Sequence, residues 1–189
     1  LTALTRGKNC ALIVGHVSQS PKSNGRPAQN TGSVLENGKV VFSQSKTLLP
    51  TYDVFDEARY FEPASSIEPW VCDGKRVGLG ICEDFWSKDP KQTRHLYTID
   101  PVKVFKDKKV ELVLSMSASP CEWKKRERRE KLHVDVAQEL GAPLIYVNQV
   151  GATDEILFDG GSFAVDGQGQ RIARLPFFKP SFGLLEWNS

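Results

Sequence analysis

Apolar residues along this chain fall in short bursts separated by turn-forming residues, not in long helical stripes. The segments NCALIVGHV, GKVVFSQSK, KRVGLGIC, VELVLSMSAS, APLIYVNQV, GGSFAVDG, QRIARLPFF and FGLLEWN are rich in β-branched or aromatic residues and lie among Gly, Pro, Asn and Asp. That pattern predicts strands. Several are apolar almost without alternation, as strands buried on both faces between other layers would be. One segment has helical spacing: from Trp123 to Leu140, Leu132, Val136 and Leu140 recur every four residues, with Gly141 as the stop and Pro143 beyond it. Shorter helices are expected over Asp100 to Lys106 and after Trp86. The polar stretch SQSPKSNGRPAQNTGS reads as a surface loop. Strands interleaved with helices imply a layered α/β architecture.

Composition narrows the class. With 189 residues, 40% of them hydrophobic and 25% charged, the chain suits one globular domain with a sizeable core. A formal net charge of +2 does not point to nucleic acid as a partner. No run of about 18 apolar residues predicts a membrane span. Cys10, Cys72, Cys82 and Cys121 form no C-x-x-C pair, so they suggest neither a zinc site nor a disulfide framework, and a reduced cytoplasmic setting fits best. His16, His95 and His133 lack metal-ligand spacing, and His133 is expected to be structural, so no metal site is expected. The opening LTALTRGKNCALIVGHV, with Leu at position 1, reads as a helix tail entering a strand and suggests that the natural N-terminus lies upstream.

Two segments carry chemistry. In KRVGLGICEDFW an apolar strand delivers Cys82 to its end, where a thiol is exposed for attack, and Gly78 and Gly80 permit close backbone approach. A cysteine there is otherwise simply a small buried hydrophobe. In KTLLPTYDVFDEARYFEP, Lys46 precedes a Leu-Leu-Pro turn, followed by alternating aromatic and acidic residues. An ammonium beside a thiol lowers the thiol pKa and stabilises an oxyanion. The basic run KKRERREKLH reads as a solvated helix face. Its cations oppose the dipole at a helix N-terminus, so a carboxylate substrate or an oligomer partner is expected to compensate them.

KTLLPTYDVFDEARYF followed by GLGICEDFW resembles the nitrilase, or carbon-nitrogen hydrolase, superfamily. SASP, with Trp123 and Lys125 after it, and NQVGATDEILFDGGSFAVDGQG resemble the N-terminal glutaminase domain of glutamine-dependent NAD synthetases. The resemblance implies a four-layer α-β-β-α sandwich, truncated at its N-terminus, with residues 1 to 189 forming a single partial amidohydrolase domain. It implies Cys82 as nucleophile, Lys46 as the catalytic lysine and Glu57 as its supporting glutamate, with Tyr52, Glu83, Ser119 and Lys125 around L-glutamine. The lysine match at position 125 is the looser one, since that family position varies between basic residues. The reaction would need no cofactor, while ATP, Mg and deamido-NAD would belong to a C-terminal synthetase domain in a homo-oligomer. The family's general-base glutamate lies in a Pro-Glu-Leu segment that nothing here matches; Glu36, in the LENGK turn, does not. The isolated chain is therefore expected to be impaired. A stand-alone amidase of the ω-amidase or ureidopropionase type, and a non-catalytic binding module using the basic helix, are the alternatives.

Overall fold

A computed structural model describes residues 1–87 and 97–187. A short 3-10 helix, Thr2–Thr5, leads into a three-stranded antiparallel sheet of β1 (Ala11–Gln19), β2 (Ala28–Glu36) and β3 (Lys39–Ser45), with β2 in the middle. After the one-turn helix α1 (Glu57–Tyr60) come β4 (Trp70–Cys72), β5 (Lys75–Ile81), helix α2 (Pro101–Asp107), β6 (Leu112–Ser117), helix α3 (Lys125–Leu140) and β7 (Leu144–Asn148). The hairpin β8 (Val150–Thr153) and β9 (Ile156–Asp159) and then β10 (Phe163–Val165) and β11 (Arg171–Arg174) complete the chain of elements. The larger sheet has the order β11-β10-β7-β6-β5-β4, with β5, β6 and β7 parallel.

Neighbouring residues of β6 show how the layers stack, because successive strand side chains point to opposite faces. Ser115 hydrogen-bonds His133 of α3 at 2.9 Å. Met116, next in sequence, faces the smaller sheet, where its side chain lies 3.4 Å from the place a Cβ would occupy on Gly15 or on Gly32. The helices therefore cover one face of the large sheet and the three-stranded sheet covers the other. The core on the helix side comprises Phe85, Val102, Phe105, Val136, Leu144, Tyr146 and Phe163 among others. As its unbroken apolar sequence predicts, β5 is buried from Val77 to Ile81. Among the described residues, no helix longer than one turn lies on the outer side of the small sheet.

Helix α3 ends where expected, at Gly141 with φ 62°, and starts at Lys125, leaving Trp123 exposed ahead of it. Its basic run is a solvated face only in part: Lys124 and Lys131 are exposed, but other cations turn inward. Lys125, Arg129 and His133, four residues apart, are all buried. The cations are compensated within the chain: Asp159 accepts from Arg126 at 2.8 Å and Arg129 at 3.0 Å. Glu122 lies 3.8 Å from Lys125 and 3.9 Å from Arg128.

Two expectations for the strands change. The segment expected as a loop contains the end of β1 and the start of β2, so that only about residues 20–27 connect them. β2 sits in mid-sheet in spite of its polar sequence because hydroxyls pair across the strands, Ser18 with Thr31 at 2.7 Å, Thr31 with Ser45 at 2.8 Å and Ser33 with Ser43 at 2.7 Å. Conversely, the FGLLEWN segment forms no strand within the described residues, and Phe182 and Leu184 stand exposed. Apolar composition makes a strand only where a neighbour supplies backbone partners. The helix expected after Trp86, and His95, fall on residues outside those described; a single 3-10 turn, Cys82–Phe85, lies just before Trp86.

His133 is structural, as its place on the helix suggests. Fully buried between Phe85, Tyr146 and Phe163, it contacts Ser115 through Nε2 and the Arg129 carbonyl through Nδ1 at 2.8 Å. Burial lowers its pKa to about 4 from 6.5, so the folded protein holds a neutral imidazole. A depressed folded pKa means that stability is lost as pH falls from the unfolded value toward the folded one. The stability advantage of wild type over His133→Gln should shrink by about 1.4 kcal/mol per pH unit below pH 6.5, as measured by urea unfolding of both proteins; an advantage constant down to pH 4.5 would contradict this.

Candidate active site

Cys82 follows β5 directly, and its backbone takes φ 46°, a left-handed conformation unusual for a residue with a side chain. The turn is tight because Phe85 folds back over the strand: a Cβ on Gly80 would sit 2.5 Å from the Phe85 ring. Only glycine at position 80 allows this approach.

Asp84 pins the turn. Its Oδ2 accepts the Ile81 N–H at 2.9 Å, and its Oδ1 accepts those of Thr47 and Leu48 at 3.0 and 2.9 Å. One buried carboxylate thus holds the strand end before Cys82 and the turn after Lys46 in a common frame. Burial lifts its pKa to about 6 against the pull of those backbone N–H groups and of Lys46. Sequence inspection passed over Asp84, although a carboxylate two residues after the thiol was a visible signal.

Lys46, Glu57 and Cys82 meet in a cavity of about 300 Å³, together with Asn30, Phe55 and Ser117. The Lys46 ammonium is only 2% exposed and donates to Glu57 Oε1 at 2.5 Å, while Glu57 Oε2 is buried with no hydrogen-bond partner. Burial by itself would lower the lysine pKa. The charges of Cys82, Glu57 and Asp84 outweigh it, so the lysine titrates above its ordinary value and stays cationic. Burial is also the strongest influence on Cys82 and pushes the thiol up; Lys46 and then Lys125 pull it down, while Glu83 and Glu57 add to the rise. The thiol is half-buried, reachable from the cavity but largely enclosed by protein.

The residues expected around a substrate are divided. Tyr52, Glu83, Ser119 and Lys125 are not among the residues that line this hollow. Tyr52 donates to both Glu83 oxygens at 2.8 Å, and Tyr97, which sequence inspection missed, donates to Glu83 Oε1 at 2.9 Å. Burial, followed by the nearby Glu83 charge, raises the Tyr97 pKa well above its ordinary value. Lys125 is buried with its ammonium 5.6 Å from the Trp86 ring centre and 5.9 Å from that of Phe55, and burial lowers its pKa. Ser119 is sealed at 1% exposure. A separate hollow of about 220 Å³ beside β7, β10 and β11 is lined largely by apolar residues such as Val147 and Leu175, and no thiol or carboxylate lines it. It offers no comparable chemistry.

A strand-end thiol beside a buried lysine-glutamate pair defines a class, and sequence comparison agrees with it. Residues 1–182 match the carbon-nitrogen hydrolase family model, and the chain belongs to that family. Among curated relatives it is similar to the glutamine-dependent NAD(+) synthetase of Synechocystis sp., with 39% identity over 181 residues, covering 94% of this chain and 32% of that protein. The synthetase of the same name from Xylella fastidiosa is 41% identical over 152 residues, covering 79% of this chain and 26% of that one. The structure of the glutamine-dependent NAD+ synthetase from Acinetobacter baumannii superposes with a TM-score of 0.81 at 32% identity, over 95% of this chain and 32% of that one. A carbon-nitrogen hydrolase from Helicobacter pylori shares the fold at 24% identity, with a TM-score of 0.76 over 93% of this chain and 61% of that one. The chain thus spans about a quarter to a third of the length of the synthetases it matches, and its α/β fold is of the nitrilase type.

Asp84→Asn turns an acceptor into a donor facing a buried N–H, at Ile81 or in the 47–48 turn, and should cost about 1–3 kcal/mol of stability, measured by chemical denaturation; an unchanged midpoint would remove the pinning role. Lys46→Met removes the cation that opposes burial at the thiol, so the pH profile of Cys82 alkylation by iodoacetamide should move to higher pH, and an unmoved profile would separate Lys46 from the thiol.

Proposed function

We propose that the chain hydrolyses the side-chain amide of L-glutamine through a cysteinyl thioester and so supplies ammonia to a synthetase domain outside this sequence. The observation that carries the reading is the strained, strand-end Cys82 sharing a cavity with the Lys46–Glu57 pair. Similarity to proteins named glutamine-dependent NAD(+) synthetases supports the choice of glutamine.

In this mechanism the Cys82 thiolate attacks the carboxamide carbon. The Lys46 ammonium and the Glu83 backbone N–H stabilise the tetrahedral oxyanion. Glu57 keeps Lys46 in place and charged. The C–N bond breaks as the nitrogen takes up a proton, ammonia leaves, and water then cleaves the γ-glutamyl thioester to give glutamate and the free thiol. Tyr52, Glu83, Ser119 and Lys125 are assigned to substrate binding, as the family resemblance implies. No metal or organic cofactor enters these steps. ATP, Mg and deamido-NAD are assigned to the synthetase domain, in a cytoplasmic homo-oligomer.

Proton transfer is assigned to a glutamate outside this sequence, since Glu57, the one carboxylate among the described cavity-lining residues, already holds Lys46. General acid-base catalysis contributes about 10²- to 10⁴-fold, so the chain alone should turn glutamine over slowly yet keep a reactive thiol. A chloroketone analogue of glutamine should label Cys82, glutamine should protect it while simple aliphatic amides do not, and Cys82→Ala should abolish labelling. Protection by other amides but not by glutamine would indicate a stand-alone amidase; labelling elsewhere would remove Cys82 from the reaction.

A further inference from the structure

We propose that Asn148 is the positioning residue for the chain segment 117–119 that flanks the cavity, and that Asp159 holds Asn148 in the orientation this requires. The inference rests on reading the Cys82 cavity as the amide pocket, and concerns Asn148 and Asp159, to which the mechanism above assigns no role.

Strands β6 and β7 run parallel and in register up to the pair Ser117 and Asn148. The Gln149 N–H donates to the Ser117 carbonyl at 3.0 Å, the last rung between them. Beyond it the chain leaves the sheet, although Ser117 and Ala118 line the same cavity as Cys82. Ser119 is buried there, and no strand accepts its N–H. Asn148 replaces the missing strand: its Oδ1 accepts the Ser119 N–H at 2.9 Å.

An amide side chain can perform this task in one orientation only. Asn148 Nδ2 donates to the Gly160 carbonyl at 3.0 Å and to Asp159 Oδ1 at 3.3 Å. Both are acceptors, so reversing the amide would set oxygen against two oxygens and an NH2 group against the Ser119 N–H. Asp159 is 1% exposed and is fixed by Arg126 at 2.8 Å and by Arg129 at 3.0 and 3.2 Å. An ion pair on α3 thus sets the place of Asp159, Asp159 sets the face of the Asn148 amide, and Asn148 sets the cavity wall. None of these groups hydrogen-bonds the thiol, which makes the role one of positioning.

The experiment compares alkylation of Cys82 by two reagents in wild type and Asn148→Ala: a chloroketone analogue of glutamine, which must occupy the pocket, and iodoacetamide, which needs only the thiol. The ratio of the chloroketone rate to the iodoacetamide rate should fall by about tenfold or more, the scale on which a displaced binding wall acts. An unchanged ratio, whether both rates hold or fall together, overturns the proposal. Hydrogen exchange of the Ser119 amide in wild type decides the matter if Asn148→Ala does not fold. Exchange as slow as that of the β6 amides is expected, and exchange as fast as an open loop overturns it. Absence of glutamine protection in wild type would instead remove the proposed substrate, and leaves the Ser119 exchange result standing as the test of the network.

Discussion

The carboxylate of Asp84 ties together two pieces of chain that would otherwise have no reason to meet. Its oxygens take N–H groups from the end of β5 and from the turn that follows Lys46. A left-handed cysteine costs of order 1–3 kcal/mol and persists only where its surroundings over-determine it. Here three buried hydrogen bonds and the Phe85 ring lying on Gly80 supply that constraint. The chemistry of the cavity depends on it, because a lysine stabilises a thiolate only if the two charges are held close in a place that water does not screen.

The second organising feature is helix α3. A helix that buries Lys125, Arg129 and His133 on one stripe carries a desolvation cost along its length, and each residue meets it differently. His133 stays neutral between Ser115 and the Arg129 carbonyl. Arg129 shares the buried Asp159 carboxylate with Arg126, which also lies over the Phe177 ring at 4.2 Å. Lys125 rests against Trp86 and Phe55. The stripe runs from Lys125, whose charge acts on the thiol, into the core at His133, so one helix both supports the sheet and supplies charge near the thiol.

Much of the fold was legible beforehand because binary pattern and turn residues are local signals. The strand β5, the helix α3 with its Gly141 stop, and the strand-end location of Cys82 all follow from residues adjacent in the chain. β2 was illegible for the opposite reason: Thr31 and Ser33 look like loop residues until partners on β1 and β3 satisfy their hydroxyls. The basic run on α3 misled in the same way, since a cation reads as solvent-facing unless the carboxylate that neutralises it, Asp159, is known to lie beneath. Tyr97 lies in no motif, and Asn148, although it opens NQVGATDEILFDGG, carried no visible role, because their parts depend on what Glu83 and Ser119 require in space.

By itself the sequence determined the candidate polar groups, the family that their segments resemble, and those strands and helices whose pattern is local, such as β5 and α3, all of which reside in short contiguous segments. Tertiary structure decided which of those groups share a cavity, which way the Asn148 amide faces, and which charges are buried rather than solvated. The physical reason is that burial and hydrogen bonding are properties of pairs. The partner of Lys46 lies eleven residues away and that of Arg129 lies thirty, and nothing at either position alone states that the other will be there.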